Sequence, residues 1–230
     1  DASVANMCTE DPSEYADELA EMGAYILDQI HLKRKAGKSG DLLSVMALAK
    51  EDGKYMSDDE LVAFAGQIFV AGNETTTSLI SNLVWRLLTI DDMWNEFCRE
   101  EIDVDDAINE SLRFDPPLLG LFKTTSRDVF VDGVTIPSNT KVMMHYGAAN
   151  RDPLAFSEPN TFKLKRSGKK MLSFSVGLHV CIGRELAKLE ARVTLKALRK
   201  RYPKLRLVSE GERVGPFLFW GRSKLPVTHN

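Results

Sequence analysis

Residues 174–183 read FSVGLHVCIG, and the softest donor among them is the thiol of Cys181. A helical pattern, RELAKLEARVTLKAL, follows directly. A thiol just ahead of a helix faces unpaired N–H groups and the positive end of the dipole, and both favour the thiolate. Gly177 and Gly183 let backbone come close to a thiolate or to a flat ligand. A thiolate suits iron, copper(I) or zinc. No second cysteine is near, so zinc lacks its four protein ligands. Haem iron takes only an axial protein ligand, because the porphyrin supplies the rest. The competing reading is an inert cysteine buried in a glycine loop.

Three other stretches carry reactive side chains. In AGNETTTS (71–78), Gly72 inside a helix costs about 1 kcal/mol against alanine. The run Thr75–Thr77 adds β-branched stiffness. Such a helix gives something room. Glu74 beside Thr75 offers an acid and an alcohol, the parts of a proton relay; the alternative is a kinked core helix whose threonines bond back to carbonyls. In ESLR, Glu110 and Arg113 lie on one helical face and can pair, although most such pairs are solvated and contribute little. Arg184, Lys188, Arg192 and Lys196 recur every four residues, either as a solvated face or as a docking stripe for an acidic partner.

The elements that must position these groups follow from periodicity. Apolar spacing predicts helices over 12–35, over DLLSVMALAK with Asp41 as cap, and from Asp58 to about Ile90. Ser57 and Glu60 have capping-box spacing at the start of that last helix. It is apolar nearly all round, which predicts burial on most sides. Shorter helices are expected near 92–99 and 103–114, the second ended by Pro116 and Pro117. DVFVDGVTIP reads as a hairpin around Asp132-Gly133, and KVMMHYGAA reads as a strand. A helix over about 182–200 follows, with Ile182, Leu186, Leu189 and Val193 as its apolar face. RLVSE and FLFW read as strands. The mixture is α+β, mainly α with small β-sheets, with no boundary after residue 57.

Composition narrows the function classes. The chain has 230 residues, 43% hydrophobic and 27% charged, with net charge −3. It is too apolar for a disordered chain and lacks the basic footprint of a nucleic-acid binder. No apolar run reaches the roughly 18 residues of a membrane span. Cys8, Cys98 and Cys181 form no C-x-x-C pair, which fits a reducing compartment and a cytoplasmic location. Cys98, beside Trp94 and Phe97, reads as an inert packed thiol.

Taken in order, AGNETT, ESLR, NRDP, FSEPNTFKLKR and FSVGLHVCIG make the chain resemble the cytochrome P-450 family of haem-thiolate monooxygenases, in the style of its soluble bacterial members. The resemblance runs from about Glu14 to Val227. It implies haem b (iron protoporphyrin IX) as cofactor, with Cys181 as iron ligand, Phe174 packed beside that ligand, and His179 and Lys123 at the propionates. Gly183, Ala71 and Gly72 would border the haem, and Glu74 and Thr75 would handle protons for the oxygen chemistry. Glu110 and Arg113 would form an internal network with Arg166, and Leu119, Gly120, Leu121, Leu218 and Phe219 would line an apolar substrate pocket. The activity implied is insertion of one atom of O2 into an apolar small molecule. A separate ferredoxin-like protein and its NAD(P)H reductase would supply electrons, since no G-x-G-x-x-G fingerprint is present.

Three departures from the family pattern stand out. Ser175 occupies a position that is usually glycine, which is harmless if its φ is negative. Lys123 replaces an arginine, keeping the charge but losing the fork. The chain also corresponds only to the C-terminal part of the fold, from about the helix after the substrate lid. That implies a single partial domain over 1–230, the haem-binding part, with about 170 N-terminal residues of the family's domain missing. Such a piece is expected to expose large apolar patches and to hold haem weakly or fold only partly alone, so a haem-binding remnant without turnover is the alternative reading.

Overall fold

The computed structural model describes residues 12–38, 40–166 and 170–229. Cys8 lies outside them. The chain is helix-rich with two-stranded sheets and divides into two compact units, Asp1–Glu74 and Thr75–Asn230.

In the first unit a 3-10 turn, Pro12–Tyr15, precedes α1 (Ala16–Ala36). Gly37 ends α1 at φ 61°, a left-handed cap whose N–H bonds to the Lys33 and Arg34 carbonyls. The short helix α2 (Leu42–Leu48) starts at Asp41, which accepts the Ser44 N–H at 2.8 Å. Strands β1 (Lys50–Glu51) and β2 (Lys54–Tyr55) pair around Asp52 (φ 50°) and Gly53 (φ 78°). Asp52-Gly53 supplies the turn of this hairpin, the same signal as Asp132-Gly133. The long helix α3 (Asp58–Thr89) opens with the expected capping box: Glu60 accepts the Ser57 N–H at 2.8 Å, and Ser57 Oγ accepts the Glu60 N–H at 3.2 Å. Ile26, Ile30, Met46, Ala47 and Leu61 form this unit's core.

Burial of α3 on most sides does not hold for its first half. Phe64 is exposed there, and Phe69 is 61% exposed. That stretch presents apolar side chains around its whole girth, and α1 and α2 cover only one flank of it.

The second unit holds the rest of α3, α4 (Met93–Cys98), α5 (Val104–Phe114) and α7 (Arg184–Arg201). Leu83, Leu87, Phe97, Ile108, Leu112, Ala191 and Leu195 are fully or almost fully buried in its core. Asp103 caps α5 through the Asp105 and Asp106 N–H groups. Strand β3 (Gly120–Thr124) pairs antiparallel with β6 (Lys141–His145). A Cβ at Gly120 would sit 2.4 Å from the Met144 carbonyl oxygen, so the close approach of the strands requires glycine. Strands β4 (Val129–Val131) and β5 (Val134–Ile136) form the expected hairpin, with Asp132 and Gly133 both at positive φ.

Four expectations need correction in this unit. KVMMHYGAA is a strand only to His145; Tyr146–Ala149 is a helical turn, α6, started by His145 Nδ1 accepting the Ala148 N–H at 3.0 Å. Of RLVSE, only Arg206–Leu207 is a strand (β7), paired with β10 (Val227–Thr228). FLFW is not a strand; it forms the turn between β8 (Glu212–Arg213) and β9 (Arg222–Lys224), touching β structure only through a bridge from Phe219 to Leu118. On α7 the buried stripe is Ala191 and Leu195, whereas Ile182, Leu186, Leu189 and Val193 are exposed. The sequence of α7 carries two apolar stripes, and the one built on small Ala191 faces the core because it lets α5 approach closely.

Candidate haem-thiolate site

The loop before α7 is closed on itself. Cys181 donates its backbone N–H to the Phe174 carbonyl at 2.9 Å, and a 3-10 turn, Gly177–His179, lies between them. Gly177 has φ 73°, a conformation natural to glycine. Ser175 has φ 58°, so the condition under which it would be harmless, a negative φ, is not met. An L-residue sits in left-handed backbone where the family pattern has glycine, at a cost of roughly 1 kcal/mol. Phe174 packs on the core and lies under Lys188, whose Nζ is 5.8 Å from the ring centroid.

The loop's other side chains face outward. Cys181 is a free, exposed thiol. Leu178 is 95% exposed and Ile182 86% exposed, and Val176 and Val180 are exposed beside them. A Cβ at Gly177 or Gly183 would meet nothing within 4 Å. The buried inert cysteine is therefore not what the loop contains. One soft donor is ringed by apolar side chains and bare backbone, and this donor set fits a flat apolar group carrying a soft metal. His179 is also exposed in this loop, and Lys123 is exposed on β3.

A buried network supports the loop from below. Glu110 is 4% exposed and holds Arg113 in a two-point pair, Nη2–Oε1 2.7 Å and Nε–Oε2 2.8 Å. Arg166 Nε joins it at 3.0 Å, and the Lys163 N–H donates to the same carboxylate at 2.7 Å. Arg113 also donates to the carbonyls of Asn150, Pro159 and Thr161. Every carboxylate lone-pair direction is used, which is what makes a charge tolerable at this depth. Sequence reasoning missed two members. Asn150, fully buried, accepts the Leu172 N–H at 2.7 Å and donates to Ser173 Oγ at 2.8 Å, and Ser173 Oγ donates to the Leu112 carbonyl at 2.6 Å. The chain is thereby tied to α5 one residue before Phe174. Asn150 lies in NRDP, a motif that carries the family resemblance, which was the available signal.

The pocket residues also meet in part. The Leu119 N–H donates to the Leu218 carbonyl at 2.8 Å, so the strand entering β3 and the β8–β9 turn are joined. Leu218 and Phe219 are buried, Leu119 and Gly120 are covered, and Leu121 is exposed. A Cβ at Gly221 would fall 2.1 Å from Ser78 Oγ, so the turn lies directly against α3. On α3 itself, Glu74 and Thr75 are consecutive half-buried residues of an unbroken helix. Ala71 and Gly72 are exposed, and a Cβ at Gly72 would meet nothing within 4 Å.

The cationic stripe on α7 is largely engaged within the chain. Arg192 pairs with Asp105 of α5 at 2.5 Å, and Arg184 pairs with Glu185 at 3.1 Å. Cys98 packs on the core and its Sγ lies 3.8 Å from the Pro203 carbonyl; burial pushes its pKa up, as an inert thiol requires. Among the described residues no group of three or more His, Cys, Asp or Glu could hold a metal ion, and no helix is long and apolar enough to cross a membrane.

The fold is thus helix-rich, with one exposed thiol in a closed glycine loop and a buried Glu–Arg–Arg network tied to the segment that enters it. Comparison with known proteins gives the class: the family model described as cytochrome P450 matches residues 3–207, and the chain belongs to that family. It is 37% identical over 225 residues to the vitamin D(3) 25-hydroxylase of Pseudonocardia autotrophica, covering 95% of this chain and 56% of that protein. It is 36% identical to the cytochrome P450 monooxygenase PikC of Streptomyces venezuelae, covering 89% of this chain and 50% of that one. Among solved structures, ligand-free cytochrome P450 TbtJ1 superposes with a TM-score of 0.92 at 29% identity, over 100% of this chain and 62% of the other. The chain thus spans about half the length of the relatives it matches.

Proposed function

We propose that this chain is the haem-binding part of a monooxygenase that inserts one atom of O2 into an apolar organic molecule. The other oxygen atom leaves as water, with two electrons and two protons consumed. The observation that carries this reading is the exposed Cys181 thiol in its closed loop, in a chain of this family. Haem b, when bound, supplies the oxygen-activating redox chemistry. Cys181 Sγ would ligate its iron, and Phe174 would hold the ligand loop against the core. His179 and Lys123 would pair with the propionates, and Gly183, Ala71 and Gly72 would let backbone lie close to the ring. The Glu74 carboxyl and Thr75 Oγ1 would pass protons inward from water. Glu110, Arg113 and Arg166 would keep the region behind the loop fixed, so that the sulfur stays aimed.

The substrate reading rests on Leu119, Gly120, Leu121, Leu218 and Phe219, whose apolar character favours a hydrophobic molecule excluded from water. Similarity to a vitamin D(3) 25-hydroxylase makes vitamin D3 a sensible probe. Electrons would come from a separate ferredoxin-like protein with an NAD(P)H reductase. A cytoplasmic location is supported by the free thiols of Cys98 and Cys181. The whole is read as one partial haem-binding domain.

A second reading, haem binding without turnover, is favoured by the outward-facing Leu178 and Ile182, which leave the ligand loop open to water. The test supplies the chain with haemin, a ferredoxin, its reductase, NADPH, vitamin D3 and isotopically labelled O2. The monooxygenase reading expects a hydroxylated product carrying one labelled oxygen. Haem uptake with NADPH oxidation and no labelled product supports the second reading, and no haem uptake removes both.

A further inference from the structure

Away from the cysteine loop, the indole of Trp85 on α3 is surrounded by cations. Arg222 Cζ lies 4.0 Å from its ring centroid, Arg86 Cζ 4.5 Å and Arg213 Cζ 5.6 Å. The shared ring keeps all three within roughly a Debye length, about 10 Å, of one another. Arg86 is neutralised: its guanidinium forks onto Asp115, Nε–Oδ2 2.5 Å and Nη2–Oδ1 3.1 Å. Asp115 has little capacity left, because Trp220 Nε1 also donates to Oδ1 at 3.0 Å.

Among the described residues no carboxylate is paired with either of the other two cations, although Asp115 and Glu210 attract both at longer range. Arg222 is only 6% exposed; one terminal nitrogen donates to the Glu210 carbonyl, and its Nε is buried with no acceptor. Arg213 is exposed and stacks on the Trp220 ring at 3.9 Å. Trp85 Nε1, a donor only, is likewise buried with no acceptor. Burial, and for Arg222 also the charge of Arg213, disfavours the protonated guanidinium of both residues. Arginine nevertheless stays charged in proteins. A buried cation is tolerated when an anion answers it.

We propose that Arg213, Arg222 and the Trp85 N–H form a binding site for a small oxyanion, a phosphate or a carboxylate, entered from the exposed Arg213 side. The fork geometry of guanidinium matches both anions, and the unpaired N–H groups are the donors such an anion would accept from. A trapped water would satisfy the N–H groups but leave the two guanidiniums without a paired anion, with Asp115 and Glu210 acting only at longer range. The site uses none of the residues assigned to haem or substrate, so it stands or falls apart from the monooxygenase reading.

The test follows the unfolding midpoint and tryptophan emission of the chain as sodium phosphate, or separately sodium acetate, is raised at constant ionic strength made up with sodium chloride. A saturable rise in midpoint with a change in emission is expected. Response to phosphate alone assigns a phosphoryl ligand, and response to acetate as well assigns a carboxylate. Arg213→Gln should weaken apparent binding about tenfold or more, and Arg222→Leu, which replaces a buried charge without a paired carboxylate by an apolar group, should fold and lose it. Lys141→Gln, a remote cation, should bind as the parent does. No saturable response to either anion, or a response unchanged in Arg213→Gln, overturns the proposal.

Discussion

At the scale of single residues, the balance of the site is set by backbone conformation and exposure. Ser175 holds φ 58° where a Cβ is unwelcome. Ser175→Gly should therefore raise stability by roughly 1 kcal/mol, read as a higher thermal midpoint with the loop otherwise unchanged. The two described thiols differ sharply. Cys181 is exposed and Cys98 is packed, with its pKa raised by burial. Mass-spectrometric mapping of a thiol reagent at mildly alkaline pH should find Cys181 labelled well before Cys98. Asp41 gives a pH prediction: hydrogen bonds from Lys33 and the Ser44 amide lower its pKa from 3.8 to about 2. Its contribution is present above pH 3.8 and is lost as pH falls toward 2, so Asp41→Asn should flatten that part of the acid-unfolding curve. The residue types of the site were legible because Cys, Glu, Arg and Gly each carry distinct chemistry. The sign of φ at Ser175 was not, because it is imposed by loop closure from Phe174 to Cys181.

At the scale of elements, Glu110 is the carboxylate on which Arg113, Arg166 and the Lys163 amide converge at α5. Removing Glu110 leaves Arg113, 2% exposed, without its partner. Glu110→Ala should destabilise by about 3–5 kcal/mol, and a urea titration followed by circular dichroism should register the loss. Glu110→Gln keeps the shape but not the charge, and should fall between parent and alanine variant. The pairing of Glu110 with Arg113 could be anticipated from their i, i+3 spacing. Its depth could not, because depth comes from the carbonyls of residues 150–161 wrapping over α5. The same limit explains α7. Its sequence offers two apolar stripes, and only packing against α5 decides that Ala191 and Leu195 go inside. The β8–β9 turn misled for a different reason: FLFW has strand composition, but it forms a turn whose next residue, Gly221, lies directly against Ser78, and that contact is invisible in the sequence.

At the scale of the whole molecule, each unit has its own core, and large apolar side chains remain outside both. The exposed set around the candidate ligand, Val176, Leu178, Val180 and Ile182, belongs to the loop that the motif identified from sequence. The helical class and the order of the long elements were readable from apolar period and caps, since α3 and α7 are long enough for the pattern to speak. The two-residue strands were not, because so short a pairing leaves almost no period to read.

The central claim is that the Cys181 sulfur binds haem iron as a thiolate. The most direct measurement is the absorption spectrum of the haemin-supplied chain after reduction and addition of carbon monoxide, beside that of Cys181→Ser. The account predicts a strongly red-shifted Soret band in the parent and its absence in the variant. A parent band at the position given by nitrogen or water ligation, or one that persists in Cys181→Ser, would contradict it.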